Sequence, residues 1–278
     1  MAEDYEHIAY RQQGSVGIIT LNRPERLNAW TTPMEHSVKR AVLAAAGDDS
    51  ARAIVITGAG RGFCAGADME LLQGASAASA TRREAAKPAA VASELDPELS
   101  TPYPGRFGYL LSVGKPIIAA INGPCAGIGF VLTLFCDLRW ASDQAMFTTA
   151  FAKRGLIAEH GSSWLLPRLI GPARALDLML SARRVQAAEA ATIGLVNETF
   201  AHATFMDDVL GRLRALTDEV SPRSLAVIKA QLWKSLTQSF DVSLEIADRE
   251  MLKSFTSADF KEGVAHFVEK RAPRFTGR

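Results

Sequence analysis

The fold is decided by the stretch Ala53-Ile54-Val55-Ile56-Thr57-Gly58-Ala59-Gly60-Arg61-Gly62-Phe63-Cys64-Ala65-Gly66-Ala67-Asp68. Its first five residues are a short β-branched run, which is the pattern of a buried parallel strand. The run ends in a glycine-rich turn, and a new helical pattern follows. The stretch therefore predicts a strand, a tight turn and a helix N-terminus in succession.

The same order occurs a second time further along the chain. Pro116 to Ile121 form another buried run, followed by the turn Asn122-Gly123-Pro124-Cys125-Ala126-Gly127-Ile128-Gly129 and an apolar helical pattern that reaches Cys136. Main-chain N–H groups at helix N-termini carry partial positive charge and bind anions. Two such donors that meet at one oxygen atom form an oxyanion hole. Either turn alone is better explained by tight packing, and neither matches a phosphate-binding glycine motif.

The other patterns predict an α/β core. Residues 8–11 and 16–21 are typical of a hairpin around Gly14, and residues 138–141 of a third buried strand. Thr32 to Glu35 resemble a capping box that opens an alanine-rich helix to about Ala46. We therefore predict a core over residues 1–200.

The tail is predicted to be helical over residues 201–278. Pro172 and Pro222 each occupy the place of a first-turn proline. Residues 74–105 are rich in Ala, Ser and Pro with weak periodicity, and we interpret them as a partly helical, mobile insertion near the active site. Three amphipathic stretches follow in the tail, namely Met206 to Leu216, Arg223 to Leu236 and Val242 to Phe255.

Composition excludes several classes of function. The 278 residues include 31 Lys and Arg against 30 Asp and Glu, and the absence of a long basic run argues against nucleic acid or an anionic membrane as partner. The N-terminus lacks the apolar segment of a secretory signal, and no apolar stretch is long enough to span a bilayer. Three cysteines without metal-ligand spacing indicate reduced thiols, so we expect a cytoplasmic enzyme that holds no metal.

Five blocks, in order, resemble a known family. They are Leu21-Asn22-Arg23-Pro24, Phe63 to Asp68, Lys115-Pro116 through Asn122-Gly123, Cys136-Asp137, and Phe267-Val268-Glu269-Lys270-Arg271. Together they are similar to the signature blocks of the enoyl-CoA hydratase/isomerase (crotonase) family. The resemblance covers nearly the whole chain. It implies a crotonase-like α/β spiral of βαβ units with a C-terminal helical region that packs homotrimers, which often pair into hexamers.

The resemblance also implies an acyl-CoA thioester as substrate. The thioester oxygen would be held by the N–H groups of Ala67 and Ile128, the second of which stands where the family most often has glycine. No separate cofactor is implied, because coenzyme A is part of the substrate. Phe267 and Lys270 would approach the adenosine 3′-phosphate, and the resemblance allows them to come from a neighbouring subunit. The other residues expected to contact coenzyme A are Glu25, Arg26, Leu27, Ala65, Ala67, Asp68, Met69 and Glu70.

The expected acyl pocket is apolar. Its candidate residues are Phe130, Val131, Met146, Phe147 and Phe151, although core packing explains them equally well. The family's hydratases carry two glutamates that position water, and the matching positions here are Val131 and Phe151. Efficient two-glutamate water addition is therefore not expected.

Glu159 is the leading candidate for the acid or base. The segment Gly155-Leu156-Ile157-Ala158-Glu159-His160-Gly161 resembles the one that carries a proton-transferring acid in family members that isomerise dienoyl-CoA. If buried, a carboxylate beside Ile157 and Ala158 would have a raised pKa suited to proton transfer. A surface glutamate is the competing interpretation. His160 ranks second, either orienting Glu159 or acting itself.

Other acidic residues are weaker candidates. Asp68 is placed to cap the next helix, and Asp137 is interpreted as structural. Glu94, Asp96 and Glu98 could supply an acid from the insertion, but charged loop residues are usually just solvated. Three functions stay open: a double-bond shift by proton transfer, hydration of a 2-enoyl-CoA with one carboxylate, and acyl-CoA binding without catalysis.

Overall fold

A six-stranded sheet is the frame of the chain. The computed structural model describes residues 4–71, 73, 96–100 and 102–278. The spatial order of the sheet is β1-β2-β3-β4-β6-β9, in which β1 is antiparallel to β2 and every other neighbouring pair is parallel. Its strands are β1 (Ile8–Gln13), β2 (Val16–Leu21), β3 (Ala53–Gly58), β4 (Ile117–Ile121), β6 (Leu138–Ser142) and β9 (Glu198–Phe200).

A second, three-stranded sheet lies beside the first. It has the order β5-β7-β8, with β5 parallel to β7 and β8 antiparallel to it. Its strands are β5 (Cys125–Ala126), β7 (Met146–Thr148) and β8 (Val185–Gln186).

Helices cover both sheets and form the tail. Those of the core are α1 (Thr32–Gly47), α2 (Pro97–Ser100), α3 (Gly108–Ser112), α4 (Ile128–Leu134), α5 (Ser162–Ile170), α6 (Pro172–Ser181) and α7 (Ala187–Thr192). Those of the tail are α8 (Phe205–Asp218), α9 (Pro222–Ser235), α10 (Phe240–Thr256) and α11 (Ala258–Glu269). Short 3₁₀ helices cover Pro24–Arg26, Ala152–Arg154 and His202–Thr204.

Strand β3 shows why the deciding stretch is apolar throughout. Ile54 and Ile56 belong to the main core cluster, which α1 and α4 also form. Ala53 and Val55 point to the opposite face, where a second cluster includes Val209 of α8. Since successive side chains of a strand face opposite sides, a strand covered on both faces is a continuous apolar run. The predicted buried parallel strand is confirmed.

Most predicted elements are confirmed with small shifts. The hairpin, the first helix, the strands after Pro116 and Asp137, and the three tail helices all form, and Pro172 and Pro222 begin their helices. The capping box was wrong. Thr31 rather than Thr32 caps α1, its Oγ1 accepting from the N–H of Met34 at 3.2 Å. Residues 74–95 of the predicted insertion lie outside the described residues.

A buried charge pair attaches the tail to the core. Lys229 Nζ of α9 lies 2.7 Å from Asp137 Oδ2, and it also donates to the carbonyls of Leu110 and Lys115 at 3.0 and 3.1 Å. Trp233 Nε1 donates to Asp137 Oδ1 at 2.9 Å. Asp137 is thus a structural residue, as the sequence indicated.

Candidate active site

The two glycine-rich turns meet at one edge of the sheet. Strands β3 and β4 are parallel neighbours, so their carboxyl ends lie side by side, which is where open α/β sheets bind ligands. Cys64 and Cys125 then form a parallel bridge between the turns. Cys64 N–H donates to the carbonyl of Pro124 at 3.1 Å, and Ala126 N–H donates to that of Cys64 at 2.9 Å. This pairing fixes the turns against each other.

Glycine is required where the turns touch. A Cβ built on Gly129 would lie 2.5 Å from the Cβ of Cys64, and one built on Gly123 would lie 2.1 Å from the carbonyl oxygen of Arg61. Real Cβ atoms do not approach other atoms so closely. The turns can therefore pack this tightly only without side chains at those two positions.

Ala67 presents a main-chain donor at this edge. Trp30 N–H donates to the carbonyl of Gly66 at 2.8 Å, and Asp68 N–H donates to that of Trp30 at 2.9 Å. In this parallel bridge the N–H of Ala67, between Gly66 and Asp68, faces away from Trp30. Within residues 4–71, 73, 96–100 and 102–278 it donates to no protein acceptor.

Ile128 presents the second donor. It is the first residue of α4, and Gly127 precedes it as the N-cap at φ 52° and ψ −122°. The first N–H groups of a helix have no partner within the helix. No acceptor in the described part of the chain takes this one either. A Cβ on Gly127 would lie 3.6 Å from the Cα of Gly66, so the residues that precede the two donors are in contact.

Two asparagines, Asn28 and Asn122, hold the loop after β3, and sequence reasoning missed both. Asn28 Nδ2 donates to the carbonyls of Ala59 and Gly62 at 2.9 and 2.8 Å. Asn122 Oδ1 accepts from Gly58 N–H at 3.1 Å. Asn28 is buried in a left-handed conformation at φ 54°. The sequence signal that could have identified them is a polar asparagine among apolar neighbours.

Two of the segments predicted to contact coenzyme A, residues 25–27 and 65–70, are joined by a hydrogen bond at this edge. Glu25 and Arg26 belong to a 3₁₀ helix, and Leu27 accepts from Ala65 N–H at 3.0 Å. Asp68 lies 2.8 Å from Arg23 and accepts from Glu70 N–H at 3.1 Å. These hydrogen bonds, that of Arg23 first, lower the pKa of Asp68 below its ordinary value. Asp68 was expected to cap the next helix, and its bond from Glu70 N–H, in the first turn of the helix that begins at Met69, confirms this; Met69 and Glu70 are exposed.

Phe267 and Lys270 lie at the end of α11. Phe267 is 81% exposed, and Lys270 is the left-handed C-cap. Within the described chain, no hydrogen bond or ion pair joins either residue to residues 25–27 or 65–70. Their approach to coenzyme A, within one subunit or from a neighbouring one, stays a prediction.

The predicted acyl-pocket residues are buried. Phe130, Val131, Phe147 and Phe151 all belong to the main core cluster. Val131 lies on α4, and Phe151 directly precedes the 3₁₀ helix Ala152–Arg154. The two positions at which hydratases of the family carry glutamates are thus filled by packed apolar side chains, and the acyl pocket itself stays a prediction.

Glu159 is not buried as the raised-pKa argument required. Its side chain is 32% exposed, so that premise was wrong. Its Oε2 lies 4.0 Å from His160 Nε2. Burial first, and then the charge of Arg106, lower the pKa of His160 to about 4. Because the imidazole is then neutral at pH 7, the two side chains form no ion pair despite their distance.

A chain of aromatic contacts leads from His160 back to the first donor. His160 meets the edge of Phe107 at 6.4 Å between ring centroids, and Phe107 meets Trp30 at 5.6 Å. Trp30 in turn pairs with Ala67. These ring contacts connect the loop that carries Glu159 to the sheet edge that carries the N–H groups of Ala67 and Ile128, which we call the donor edge.

Glu35 and Arg106 are polar neighbours that the sequence did not reveal. Glu35 accepts from Trp30 Nε1 at 3.4 Å and lies 3.4 Å from Arg106 Nε. Glu35 was instead interpreted as part of a capping box. Because Glu35 and Arg106 are far apart in sequence, only the folded structure shows that they are neighbours.

The acidic candidates of the insertion have structural partners. Arg249 of α10 lies 2.9 Å from Asp96 and 3.4 Å from Glu98. Asp96 is buried, and it accepts from Arg249 and from Glu98 N–H. Both carboxylates therefore tie residues 96–100 to the tail, while Glu94 lies outside the described residues.

None of the helices that the structure describes combines the length and apolar composition that crossing a bilayer requires.

The fold and the donor edge together define a class, the crotonase-fold proteins. Solved structures of this class are similar to this chain over nearly its whole length. An enoyl-CoA hydratase from Polaromonas has a TM-score of 0.83 at 27% identity, covering 96% of this chain and 99% of its own. An enoyl-CoA hydratase/isomerase from Mycobacterium paratuberculosis has a TM-score of 0.82 at 26% identity, covering 99% and 100%.

Sequence comparison narrows the class to a family. The enoyl-CoA hydratase/isomerase profile matches residues 11–278. A Rhodobacter capsulatus protein named probable enoyl-CoA hydratase is 36% identical over 99% of both chains. The 1,2-epoxyphenylacetyl-CoA isomerase of Escherichia coli K12 is 33% identical over 98% of this chain and 99% of its own. This chain belongs to the enoyl-CoA hydratase/isomerase family, whose enzymes act on acyl-CoA thioesters.

Proposed function

We propose that the protein shifts a double bond within an unsaturated acyl-CoA by proton transfer. The Glu159 carboxylate removes a proton from the carbon next to the thioester or from the far end of the allylic unit. The electron pair moves onto the thioester oxygen, and the resulting enolate is stabilised by the N–H groups of Ala67 and Ile128. Glu159 then returns the proton to the other end of the unit, which leaves the double bond in its new place.

The observation that carries this proposal is a pair of main-chain donors beside a site that lacks the hydratase acids. Neither donor has an acceptor within the described chain, and Val131 and Phe151 are buried and apolar. Water addition needs a group that activates water, whereas proton relocation needs one acid/base and the enolate site. The E. coli relative is named an isomerase of an epoxide-bearing acyl-CoA, so the relatives include a protein named for rearrangement rather than hydration.

His160 would assist Glu159 as a neutral group. Its lowered pKa keeps the imidazole uncharged at pH 7. A neutral ring 4.0 Å from the carboxylate can orient it without competing for the proton. Partial exposure of Glu159 leaves room for a substrate to cover it.

Hydration of a 2-enoyl-CoA with Glu159 as the sole acid/base is the second candidate, favoured by relatives named enoyl-CoA hydratase. Purified protein should be incubated with 2-enoyl-, 3-enoyl- and 3,5-dienoyl-CoA, and the products should be separated by liquid chromatography and identified by retention time and mass against authentic standards. An isomer has the mass of its substrate, and a hydrate gains one water. Binding without turnover of any of the three would contradict both enzymatic proposals and favour an acyl-CoA binding protein.

The substitution Glu159→Gln tests whether Glu159 transfers the proton. The amide cannot accept the proton, so turnover should fall by about 10²–10⁴-fold while affinity for the thioester changes little. Glu219→Gln, at an exposed position at the end of α8, is the matched control and should retain the wild-type rate. An unchanged rate in Glu159→Gln would remove this residue from the mechanism.

Assembly through the tail is part of the proposal. Helices α10 and α11 expose large apolar side chains, among them Phe240 and Leu252, at 78% and 63% exposure. Large exposed apolar side chains concentrated on two successive helices are typical of a protein interface. We expect a homotrimer or a dimer of trimers, which sedimentation analysis of the purified protein measures directly. A stable monomer would contradict this part of the proposal.

A further inference from the structure

Arg154 places a guanidinium directly beside both glycine turns. A Cβ built on Gly66 would lie 3.6 Å from its Nη1, and one built on Gly127 would lie 3.9 Å from the same atom. These glycines immediately precede Ala67 and Ile128. Standard covalent dimensions then put the guanidinium within roughly 8 Å of both donor nitrogens.

The charge of Arg154 is not neutralised within the described chain. The side chain is exposed and has no hydrogen-bond or ion-pair partner among the described residues. Two other arginines near the site are paired with carboxylates, since Arg23 lies beside Asp68 and Arg106 beside Glu35. Arg154 is therefore a cation held at the donor edge, and none of the described residues occupies its hydrogen-bonding positions.

The position of Arg154 favours the acyl side of a bound thioester. It lies on the 3₁₀ helix that follows Phe151 and precedes the loop with Glu159, the residues assigned above to the acyl pocket and the proton transfer. The phosphates of coenzyme A are separated from the thioester by the long pantetheine arm. A carboxylate on a short acyl chain is only a few bonds from the thioester carbon. A guanidinium binds carboxylates through two parallel hydrogen bonds.

We propose that Arg154 binds a carboxylate carried by the acyl group, so that the preferred substrates are CoA thioesters of short dicarboxylic acids. This inference rests on the proposed acyl-CoA function, and it adds the class of acyl group. Arg154 acts as a specificity residue, and the proton transfer itself does not require it.

Four unreactive ligands distinguish an acyl carboxylate from the phosphates of coenzyme A as the group that Arg154 binds. They are butyryl-CoA, glutaryl-CoA, butyryl-pantetheine and glutaryl-pantetheine. Their dissociation constants should be measured by calorimetry for the wild type, Arg154→Gln, Arg154→Lys and the control Lys153→Gln. Lys153 is an exposed cation on the same 3₁₀ helix, so its variant removes the same charge from the neighbouring position. Because Arg154 is exposed, its variants should fold, which circular dichroism verifies.

We expect the wild type to bind both glutaryl ligands more tightly than their butyryl counterparts. Arg154→Gln should lose that preference, weakening each glutaryl ligand by roughly 10–100-fold more than its butyryl counterpart. Arg154→Lys should recover part of the preference, and Lys153→Gln should keep all of it.

Several results would overturn the proposal. Equal loss for both CoA ligands, with no loss for the pantetheine ligands, would assign Arg154 to a phosphate. Equal loss for all four ligands, or no loss for any, would remove a carboxylate role. A wild type that binds none of the four overturns the proposed acyl-CoA function as well, whereas intact binding with an unchanged preference in Arg154→Gln overturns this inference alone.

Discussion

Replacing Ile128 by proline removes one of the two proposed oxyanion donors with little change elsewhere. Ile128 is the first helical residue of α4, the position at which proline is most easily accepted, since its φ suits the helix and the lost N–H has no helical partner. Gly127 before it has φ 52° and ψ −122°, which lies outside the right-handed helical region that a following proline disfavours. The substitution therefore removes the N–H donor of residue 128 while helix α4 stays intact.

The expected cost is catalytic. Removing one oxyanion donor typically lowers the rate by about 10²–10³-fold, or roughly 2.7–4 kcal/mol of transition-state stabilisation. The shorter side chain also leaves some buried volume empty, since Ile128 is 5% exposed. Ile128→Val retains the N–H and removes one methylene, which costs about 0.5–1.5 kcal/mol of stability, and so it separates the packing effect from the donor effect.

The assay is the initial rate of 3-enoyl-CoA conversion for both variants, with thermal denaturation to verify folding. Ile128→Pro should be at least about 10²-fold slower than Ile128→Val at a similar melting temperature. If the two rates agree within about threefold and both proteins are folded, the main-chain N–H of residue 128 does not stabilise the reacting oxygen.

Three further predictions concern the scaffold. Gly129→Ala should separate the turns, because its Cβ would lie 2.5 Å from that of Cys64, and we expect about 1–3 kcal/mol of lost stability with a large loss of rate. His160 has a folded pKa of about 4 against 6.5 unfolded, so below pH 6.5 the unfolded chain gains a proton that the folded one lacks. Stability should fall by at most about 3 kcal/mol as the pH drops from 6.5 to 4, measured by urea denaturation. Asp137→Ala should cost about 3–5 kcal/mol by leaving Lys229 buried and unpaired.

Each of these predictions has a control. Gly211→Ala, at a helical position with nothing within 4 Å of the new Cβ, should stabilise α8 or leave it unchanged. His160→Gln should remove the acid-dependent slope, and an equal slope in this variant would assign the effect to other groups. Asp137→Ala combined with Lys229→Met should recover much of the loss, and a double variant no more stable than Asp137→Ala alone would contradict the buried-charge argument.

Long patterns were predictable from the sequence, and short ones were not. Strand β3 and α10 carry enough residues for a period to be recognised. Strands β5 and β8 have two residues each, which is too few to show alternation, and their pairing depends on distant segments. Helix α5 contains Pro167, a residue that normally argues against a helix interior.

The candidate site, like the fold, could be predicted only in part from the sequence. The resemblance assigned the donors to Ala67 and Ile128, and local order then placed both beside the strand ends. The burial of Glu159 could not be derived from its apolar neighbours in sequence, because burial is set by what packs over a loop. Glu35, Arg106 and Arg154 were missed for the same reason, since each acquires its position from residues far away in the chain.

The proposed reaction combines main-chain donors with side-chain groups. The donors are main-chain groups held by turns whose contact excludes any side chain at Gly123 and Gly129, so most substitutions at Ala67 or Ile128 leave the N–H groups in place. The proposed acid and the proposed carboxylate-binding cation are side chains of the single segment from Phe151 to Gly161. We therefore expect the proposed enolate stabilisation to be insensitive to most sequence change, whereas the site of protonation and the accepted acyl group would depend on a few loop residues. Exchanging that segment for the one of a two-glutamate hydratase, with Val131→Glu, should shift the products from isomer toward hydrate while the donors stay unaltered.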